Sequence, residues 1–155
     1  KEKGLLRRLP IFRHRNHAMI ANKKIEFKKH YLKNGMKRLV YELNFDNQLA
    51  VFATHFYLSK RTRKKQLLEL KSLIGNREKV ILCGDFNIFK GVQELELLMK
   101  DEFLSLVNAE GDMTFPAHKP KRSLDLFLCS KGMVIKNFRV LKDKVSDHLP
   151  VMLEV

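Results

Sequence analysis

The sequence contains only two cysteines, Cys83 and Cys129, and no apolar run that approaches the length of a membrane span. Both cysteines lie in segments predicted to be buried strands, where cysteine behaves as a small hydrophobic residue. They suggest neither a disulfide nor a metal site. The segment Lys1 to Pro10 is basic but has no sustained apolar core, so it lacks the pattern of a signal peptide. We therefore expect no transmembrane segment, and the location stays open with the cytoplasm favoured.

Acidic residues are in the minority, with 17 Asp and Glu against 31 Lys and Arg, which gives a formal net charge of +14. This surplus predicts a polyanionic partner, nucleic acid or another phosphate-rich polymer. The alternative interpretation is that the charge only aids solubility. The 155 residues are 45% hydrophobic and contain no repeat, low-complexity tract or linker. These features predict a single domain over residues 1–155.

The segment Lys79 to Asn87 combines a strand pattern with two polar side chains. Four apolar residues after Lys79 predict a strand covered on both faces, and Gly84 is expected to end it. Asp85 and Asn87 follow, two residues apart, so at the mouth of a sheet both would face the same crevice. A plain turn after a strand would also use Gly, Asp and Asn. The segment alone therefore leaves a site and a turn equally open.

Two further segments place acidic residues beside predicted strands. Asp147 and His148 come just before a strand predicted over 151–155, so a carboxylate and an imidazole stand together at a strand start. Asp125 lies inside an apolar strand predicted over 123–128. A charge in such a strand is costly unless it has a partner.

Four short motifs together resemble the endonuclease/exonuclease/phosphatase superfamily, the DNase I-like fold of metal-dependent phosphodiesterases and phosphatases. They are Thr54-His55, Gly84-Asp85-Phe86-Asn87, Leu124-Asp125-Leu126-Phe127 and Ser146-Asp147-His148. Each stands at the end of a separate predicted strand, and the resemblance runs from about residue 39 to residue 155. The combination is specific although each motif is common. It implies an α/β (α+β) fold, a two-sheet β-sandwich flanked by helices.

The resemblance, together with the chemistry of phosphoester hydrolysis, assigns roles to these residues. Attack of water needs a group to orient it, cations for the phosphoryl oxygens and help for the leaving oxygen. Asp85 is predicted to position or deprotonate the water, and Asn87 to donate its amide hydrogens to a phosphate oxygen. His148 is predicted to face the phosphate, with Asp125 fixing its tautomer by a hydrogen bond. In the family, the His of the Thr-His pair contacts the scissile phosphate, and His55 matches it.

A divalent cation is the expected cofactor. Asp147 is predicted to bind a hard cation, Mg²⁺ first and Mn²⁺ second. Family members begin with a strand bearing an Asn and a strand bearing a metal-binding Glu, and neither is found here. The segment Leu5 to Ile11 looks like the stretch that follows that Glu. The resemblance therefore implies a fold incomplete at its N-terminus, and we expect a homo-oligomer or poor solubility because sheet surface would be exposed.

The remaining elements are predicted from periodicity and turn residues. An Asn34-Gly35 turn predicts a hairpin between strands over 25–32 and 37–45, followed by a strand over 48–56. The other predicted elements are a helix over 60–74 with Ser59 as N-cap and Gly75 at its end, a helix over 91–100, an apolar segment of ambiguous type over 103–107, and a loop over 108–121.

Basic residues cluster near the predicted site. Arg61 and Arg63 belong to a group of cations in the first turns of the predicted helix, just after His55. Lys119 and Arg122 lie beside the Asp125 strand. The macrodipole disfavours cations at a helix N-terminus, and a nearby anion would offset that cost. These four residues are predicted to bind substrate, while a solvated basic face is the alternative.

Three functions follow from the sequence. The first is a Mg²⁺-dependent phosphodiesterase acting on DNA or RNA. The second is a related enzyme acting on a phospholipid or inositol phosphate, although no apolar membrane-facing loop is found. The third is a polyanion-binding fragment without turnover. The sequence has no tryptophan, and so lacks the Trp-containing motif of the abasic-site endonuclease branch, which favours a less specialised member.

Overall fold

The computed structural model describes residues 19–22, 24–45, 48–109 and 111–155. The segment 5–11, which was compared with the family above, lies outside these residues. The elements in chain order are β1 (Glu26–Tyr31), β2 (Leu39–Asn44), β3 (Leu49–His55), α1 (Lys60–Ile74), β4 (Lys79–Asp85), a 3₁₀ turn (Val92–Leu95), α2 (Glu96–Met99), β5 (Leu104–Leu106), β6 (Asp125–Ser130), β7 (Asn137–Val140) and β8 (Val151–Glu154). No helix in these described ranges is long and apolar enough to cross a membrane.

Six of the strands form one sheet in the order β1-β2-β3-β4-β6-β5, and β7 and β8 form a second. The hairpin predicted around Asn34-Gly35 is confirmed, because β1 and β2 pair antiparallel. The β3 and β4 strands are parallel, whereas β4 and β6 are antiparallel. A parallel pair needs a crossover, and α1 supplies it. The predicted bounds of α1 are confirmed, with Gly75 at its end.

One face of the large sheet is covered by the helices. Phe52, Leu82 and Leu128, from three neighbouring strands, are fully buried against Leu67 and Leu70 of α1. Their alternation along the strands follows from the twofold periodicity of β structure. Burial of this face fixes the register of the strands, since a slip of one residue would turn these side chains outward.

The opposite face packs against the small sheet. Leu49, Ile81 and Cys129 form a second buried cluster to which Leu153 of β8 contributes. The ring centroids of Phe127 on β6 and Phe138 on β7 lie 5.9 Å apart, so these two strands are in contact. Two sheets with helices outside the larger one confirm the predicted α/β (α+β) class.

Both cysteines are free thiols, as expected from their number and surroundings. Burial raises the pKa of Cys83 to about 12, with a smaller effect from Cys129, and raises the pKa of Cys129 to about 11. They therefore remain neutral thiols at physiological pH and act as small hydrophobic residues.

Gly84 does not end its strand, which was the expectation. It lies within β4, which continues to Asp85, and its φ is +132°. A Cβ atom at this position would stand 1.8 Å from the carbonyl oxygen of Thr54 on β3. Glycine is required here because two strand backbones approach closely at the point where the site begins.

Smaller differences concern the second half of the chain. The helix expected over 91–100 begins as a 3₁₀ turn and is α-helical only from Glu96 to Met99. The ambiguous apolar segment forms the short edge strand β5, and β7 was not predicted. Short strands of this kind depend on neighbours that local sequence does not reveal.

Candidate active site

Three neighbouring strands bring polar side chains to one end of the large sheet. His55 ends β3 and pairs with Asp85 at the end of β4, and Asp85 pairs with Asp125 at the start of β6. Paired residues on adjacent strands project to the same face. The β6 strand runs opposite to the other two, so its first residue meets their last ones. A histidine and two aspartates therefore form a row across the sheet.

The Asp85 carboxylate has close partners on both oxygens. Its Oδ2 lies 3.0 Å from Nε2 of His55, and its Oδ1 accepts a 2.9 Å hydrogen bond from the backbone N–H of Asn87. Burial by itself raises the pKa of Asp85, but the hydrogen bond and charge of His55, the Asn87 N–H and the charge of His148 together lower it below the ordinary value. Asp85 is therefore an ionised carboxylate at neutral pH.

Asn87 supports Asp85 and does not point to an open crevice. Its side chain is only 4% exposed, and its Nδ2 donates to the carbonyl of Phe56 at 2.9 Å and to Oδ2 of Asp85 at 3.3 Å. Its φ of 52° is in the left-handed region that asparagine tolerates better than most residues. The predicted donation to a phosphate oxygen does not fit this arrangement, because both amide hydrogens have acceptors within the protein.

Asp125 and His148 form a second carboxylate–imidazole pair. His148 Nδ1 lies 2.7 Å from Asp125 Oδ2, so the predicted hydrogen bond is present. The ring of Phe115 stacks against the imidazole at 4.8 Å between centroids. Because these contacts hold Nδ1 and one ring face, Nε2 is the nitrogen that His148 can offer to a ligand.

Two polar residues hold the Asp125 strand in place and were not singled out from the sequence. Asn108 donates to the Asp125 carbonyl at 3.1 Å and accepts from the Phe127 N–H at 2.8 Å. Thr114, which is fully buried, accepts from the N–H groups of Leu124 and Asp125 at 3.2 and 3.3 Å. In the sequence both lie in the loop predicted over 108–121, and neither was given a role in the site.

Lys37 is a further residue at this end of the sheet that sequence reasoning missed. Its ammonium group contacts Nε2 of His55, the same nitrogen that faces Asp85. In the sequence it was only the first residue of a predicted strand. The contact arises from the fold of the hairpin turn against β3, which no local pattern indicates.

Asp147 lies next to His148 on the exposed side of the site. Its carbonyl accepts from the Ala117 N–H at 2.8 Å, and the Ser146 hydroxyl bonds to the backbone of His148 at 3.0 Å. The described residues contain no group of three or more His, Cys, Asp or Glu side chains arranged to hold a metal. Mg²⁺ often takes only one or two protein carboxylates, with waters and substrate phosphates as the other ligands. One exposed carboxylate, on the residue before His148, fits that mode of binding.

The predicted substrate-binding cations divide into two groups. Arg61, Lys119 and Arg122 are exposed, as a contact with substrate requires. The Arg122 guanidinium donates to the Phe89 carbonyl at 2.9 Å and lies over the Phe89 ring at 5.3 Å. This anchoring leaves the Arg122 charge at the surface, near the segment that follows Asp85.

Arg63 does not fit the predicted contact with substrate. It is 3% exposed, and its guanidinium forms a bidentate pair with Glu94 at 2.9 and 2.7 Å. It also donates to the carbonyls of Tyr57 and Leu58 at 3.0 and 2.9 Å. These bonds fix the segment between β3 and α1, so Arg63 has a structural role. Sequence reasoning failed here because it could not show which side of α1 faces the protein.

A cavity of about 360 Å³ opens beside the His55–Asp85 pair. Its polar end is formed by Thr54, His55 and Asp85, and its apolar wall includes Tyr41 and Leu43 of β2. The row of His55, Asp85 and Asp125 therefore borders a concave surface on the face of the sheet that lies away from α1.

A sheet with helices on one face, a small second sheet on the other and His and Asp side chains at its rim defines the DNase I-like class of fold. Residues 21–148 match the model of the Endonuclease/Exonuclease/phosphatase family. The chain belongs to this family. No match was found among curated proteins.

Solved structures show the same fold. An endonuclease/exonuclease/phosphatase family protein from Bacteroides thetaiotaomicron aligns with a TM-score of 0.68 at 18% identity, over 83% of this chain and 63% of that one. The mannosyl-6-phosphatase Bt3783 of the same organism gives 0.59 at 21% identity, over 75% and 55%. The endonuclease domain of TRAS1, a telomere-specific non-LTR retrotransposon, gives 0.62 at 18% identity, over 84% and 66%. The chain thus spans about 55% to 66% of the length of these structures.

Proposed function

We propose that the protein is a metal-dependent phosphodiesterase that hydrolyses DNA or RNA. The observation that carries the proposal is the pair of carboxylate–imidazole contacts at one end of the large sheet, His55–Asp85 at 3.0 Å and His148–Asp125 at 2.7 Å. Two such pairs provide an ionised carboxylate for a water molecule and imidazoles for a phosphate. Membership of a family named for nucleases and phosphatases supports the same chemistry.

Asp85 is the residue that would act on water. Its lowered pKa keeps it ionised near neutral pH, so it accepts a hydrogen bond from the attacking water and orients that water. A carboxylate of lowered pKa is a weak base, which favours orientation over full deprotonation in the ground state. Asn87 and His55 restrict its rotation and so support a fixed direction of attack.

His148 is the residue that would stabilise charge on the phosphoryl oxygens. Its Nδ1 is engaged by Asp125, so Nε2–H is the donor available to a phosphate oxygen. Phe115 and the tight backbone turn at Ser146 hold the ring in place. Such a preorganised donor does not need to reorient during the reaction.

A divalent cation held by Asp147 would supply further positive charge to the phosphoryl oxygens and the leaving oxygen. The substrate phosphate would complete its ligands together with water. Removal of the ion would therefore weaken both binding and turnover.

The charge of the chain supports nucleic acid over a small phosphate ester. A net charge of +14 is spread along the sequence, and Arg61, Lys119 and Arg122 remain at the surface. Such a surface matches an extended polyanion, since each phosphate contact releases a condensed counterion. Similarity to the TRAS1 endonuclease domain and to the Bt3783 phosphatase shows only that both kinds of named protein use this fold.

The test is Mg²⁺-dependent cleavage of labelled single-stranded and duplex DNA and RNA, with an inositol phosphate and a phospholipid as further substrates. We expect cleavage of a nucleic acid by the wild type, and its loss with chelator or in Asp85→Ala. Asp143→Ala, which changes an exposed aspartate outside the row, is the matched control. Turnover of only the lipid or inositol substrate would contradict the proposed substrate. Salt-sensitive nucleic-acid binding without any turnover would contradict the proposed enzyme.

A further inference from the structure

Lys37 stands where a phosphate-binding cation would be needed, although no motif points to it. Its ammonium contacts Nε2 of His55, and that nitrogen lies 3.0 Å from Oδ2 of Asp85. A cation, an imidazole and a carboxylate therefore meet at one ring nitrogen. The three residues come from the turn before β2 and the ends of β3 and β4, so the contact is built by the tertiary fold.

The backbone of Lys37 is tied to α1 by a buried glutamine. Gln66 is fully buried, and its Nε2 donates to the carbonyls of Asn34 and Lys37 at 2.9 and 2.6 Å. Its Oε1 accepts from the N–H of Tyr57, two residues after His55, at 2.9 Å. One side chain thus joins the turn that carries Lys37 to the segment that follows His55.

Other bonds hold the same turn. Glu69 of α1 accepts from the backbone N–H of Lys33 and from the side-chain amide of Asn34. The Thr54 hydroxyl donates to the Leu39 carbonyl at 3.1 Å, which fixes β2 beside the residue that precedes His55. A loop held at so many points keeps its lysine in position before any ligand arrives, which lowers the entropic cost of binding.

The ammonium of Lys37 and the carboxylate of Asp85 both face Nε2 of His55. Nε2 of an imidazole either accepts a hydrogen bond from an ammonium or donates one to a carboxylate, and it cannot do both at once. A phosphate oxygen placed here would accept a hydrogen bond from the ammonium of Lys37. His55 Nε2–H would then be left to donate to Asp85.

We propose that Lys37 is a further phosphate-binding residue, whose ammonium donates to a nonbridging oxygen of the phosphate that His55 faces. Gln66 is its positioning residue, because it fixes the turn that carries the lysine. The inference rests on the proposed function and adds to it a second cation, one that does not depend on the metal. A charged hydrogen bond of this kind is stronger than a neutral one and favours an anionic ligand.

Kinetics provide the first test. We expect Lys37→Met to reduce kcat/KM by about 100-fold, the cost of removing one donor to a phosphoryl oxygen, with an unchanged thermal unfolding midpoint. Lys37→Arg should stay within about tenfold of wild type, since the charge and the donor remain. Lys33→Met is the matched control, because this exposed lysine lies on the same turn, and we expect unchanged kinetics. Kinetics of Lys37→Met equal to those of Lys33→Met would overturn the inference.

A measurement without turnover separates this inference from the proposed function. Inorganic phosphate is titrated into the wild-type protein while the His55 ring signals are followed by NMR. We expect saturable shifts, about tenfold weaker phosphate binding in Lys37→Met, and no further weakening when Gln66→Glu is added to Lys37→Met. This result would support Lys37 even if the wild type hydrolysed nothing, an outcome that would contradict only the enzyme. Wild-type His55 signals that do not respond to phosphate, or equal affinity in Lys37→Met, would overturn the inference.

Discussion

Asp125 is a charged residue that was predicted inside an apolar strand but begins β6 in the structure, and its partner explains its presence. The 2.7 Å contact with His148 satisfies the carboxylate that burial would otherwise penalise. The same contact sets which imidazole nitrogen faces a ligand. The Asp125 carboxylate, which would be unfavourable here without a partner, is therefore stabilised by its contact with His148.

We expect Asp125→Asn to lower kcat about 10- to 100-fold with little change in KM. The amide keeps the shape of the side chain but does not favour one tautomer of His148 in the way that a carboxylate does. Steady-state kinetics on whichever substrate is cleaved in the test under Proposed function provide the measurement. Asp143→Asn serves as the matched control, and an equal effect of both substitutions would contradict a role for Asp125 through His148.

The pH dependence of turnover should reflect the lowered pKa of Asp85. Its carboxylate is active when ionised, so the acidic limb of kcat/KM should lie below the pH expected for an ordinary aspartate. His55→Gln removes the imidazole charge that lowers this pKa and at best keeps a neutral hydrogen bond in its place, while the opposing effect of burial stays. We therefore expect the acidic limb to move to higher pH in this variant.

A pH–rate profile of wild type and His55→Gln checks this expectation. The substitution His118→Gln, at an exposed histidine that is not part of the row, should leave the limb unchanged. If the acidic limb stayed in place in His55→Gln, then the ionisation of Asp85 would not be what determines that limb.

The β3–β4 pair depends on one glycine for its close approach. Because a Cβ at Gly84 would stand 1.8 Å from the Thr54 carbonyl oxygen, Gly84→Ala should lower the free energy of unfolding by about 3 kcal/mol or more. Gly132 also has a positive φ, +82°, but its Cβ would meet nothing within 4 Å. Gly132→Ala should therefore cost only about 1 kcal/mol. Urea unfolding measures the free energy of unfolding of both variants. Equal losses of stability would show that the close approach of β3 does not cause the loss in Gly84→Ala.

The elements differ in how far local pattern could predict them. The β3 and β4 strands and α1 have strong periodicity and clear ends, and they lie close to where they were expected. The β5 and β7 strands are three and four residues long and form only because β6 and β8 lie beside them. The same limit applied to Arg63, whose burial is set by Glu94, a residue far along the chain.

The charge of the whole molecule should dominate its binding of polyanions. We expect log K for duplex DNA to fall linearly with log salt concentration, with a slope of about −0.9 for each phosphate contacted. Arg61→Ala, which removes an exposed cation at the start of α1, should make the slope smaller by about one. Lys131→Ala is the control, because this lysine is paired with Glu102 at 3.0 Å. Fluorescence anisotropy at several salt concentrations measures both, and a slope near zero for the wild type would contradict a phosphate interface.

The predicted homo-oligomer stays a prediction. Phe27 and Tyr31 of β1 are 46% and 67% exposed. They lie on the same sheet face as Leu43 and Tyr41 of β2, because Phe27 pairs with Leu43 and the alternate residues of each strand share a face. Exposed apolar surface of this kind favours association. Light scattering over a range of protein concentrations tests it, and a monodisperse, stable monomer would contradict it.

The sequence by itself determined the α/β class, most strand and helix positions and the membership of a family, because hydrophobic periodicity and short motifs are local properties of the chain. It also identified His55, Asp85, Asp125 and His148. The Asp125–His148 contact was predicted, but only the tertiary structure decided that Asp85 lies between His55 and Asp125, since strand register and the antiparallel placement of β6 join these positions, which are 30 and 40 residues apart. For the same reason, the place of Lys37 beside His55, the supporting role of Asn87 and the burial of Arg63 emerged only when distant elements packed together.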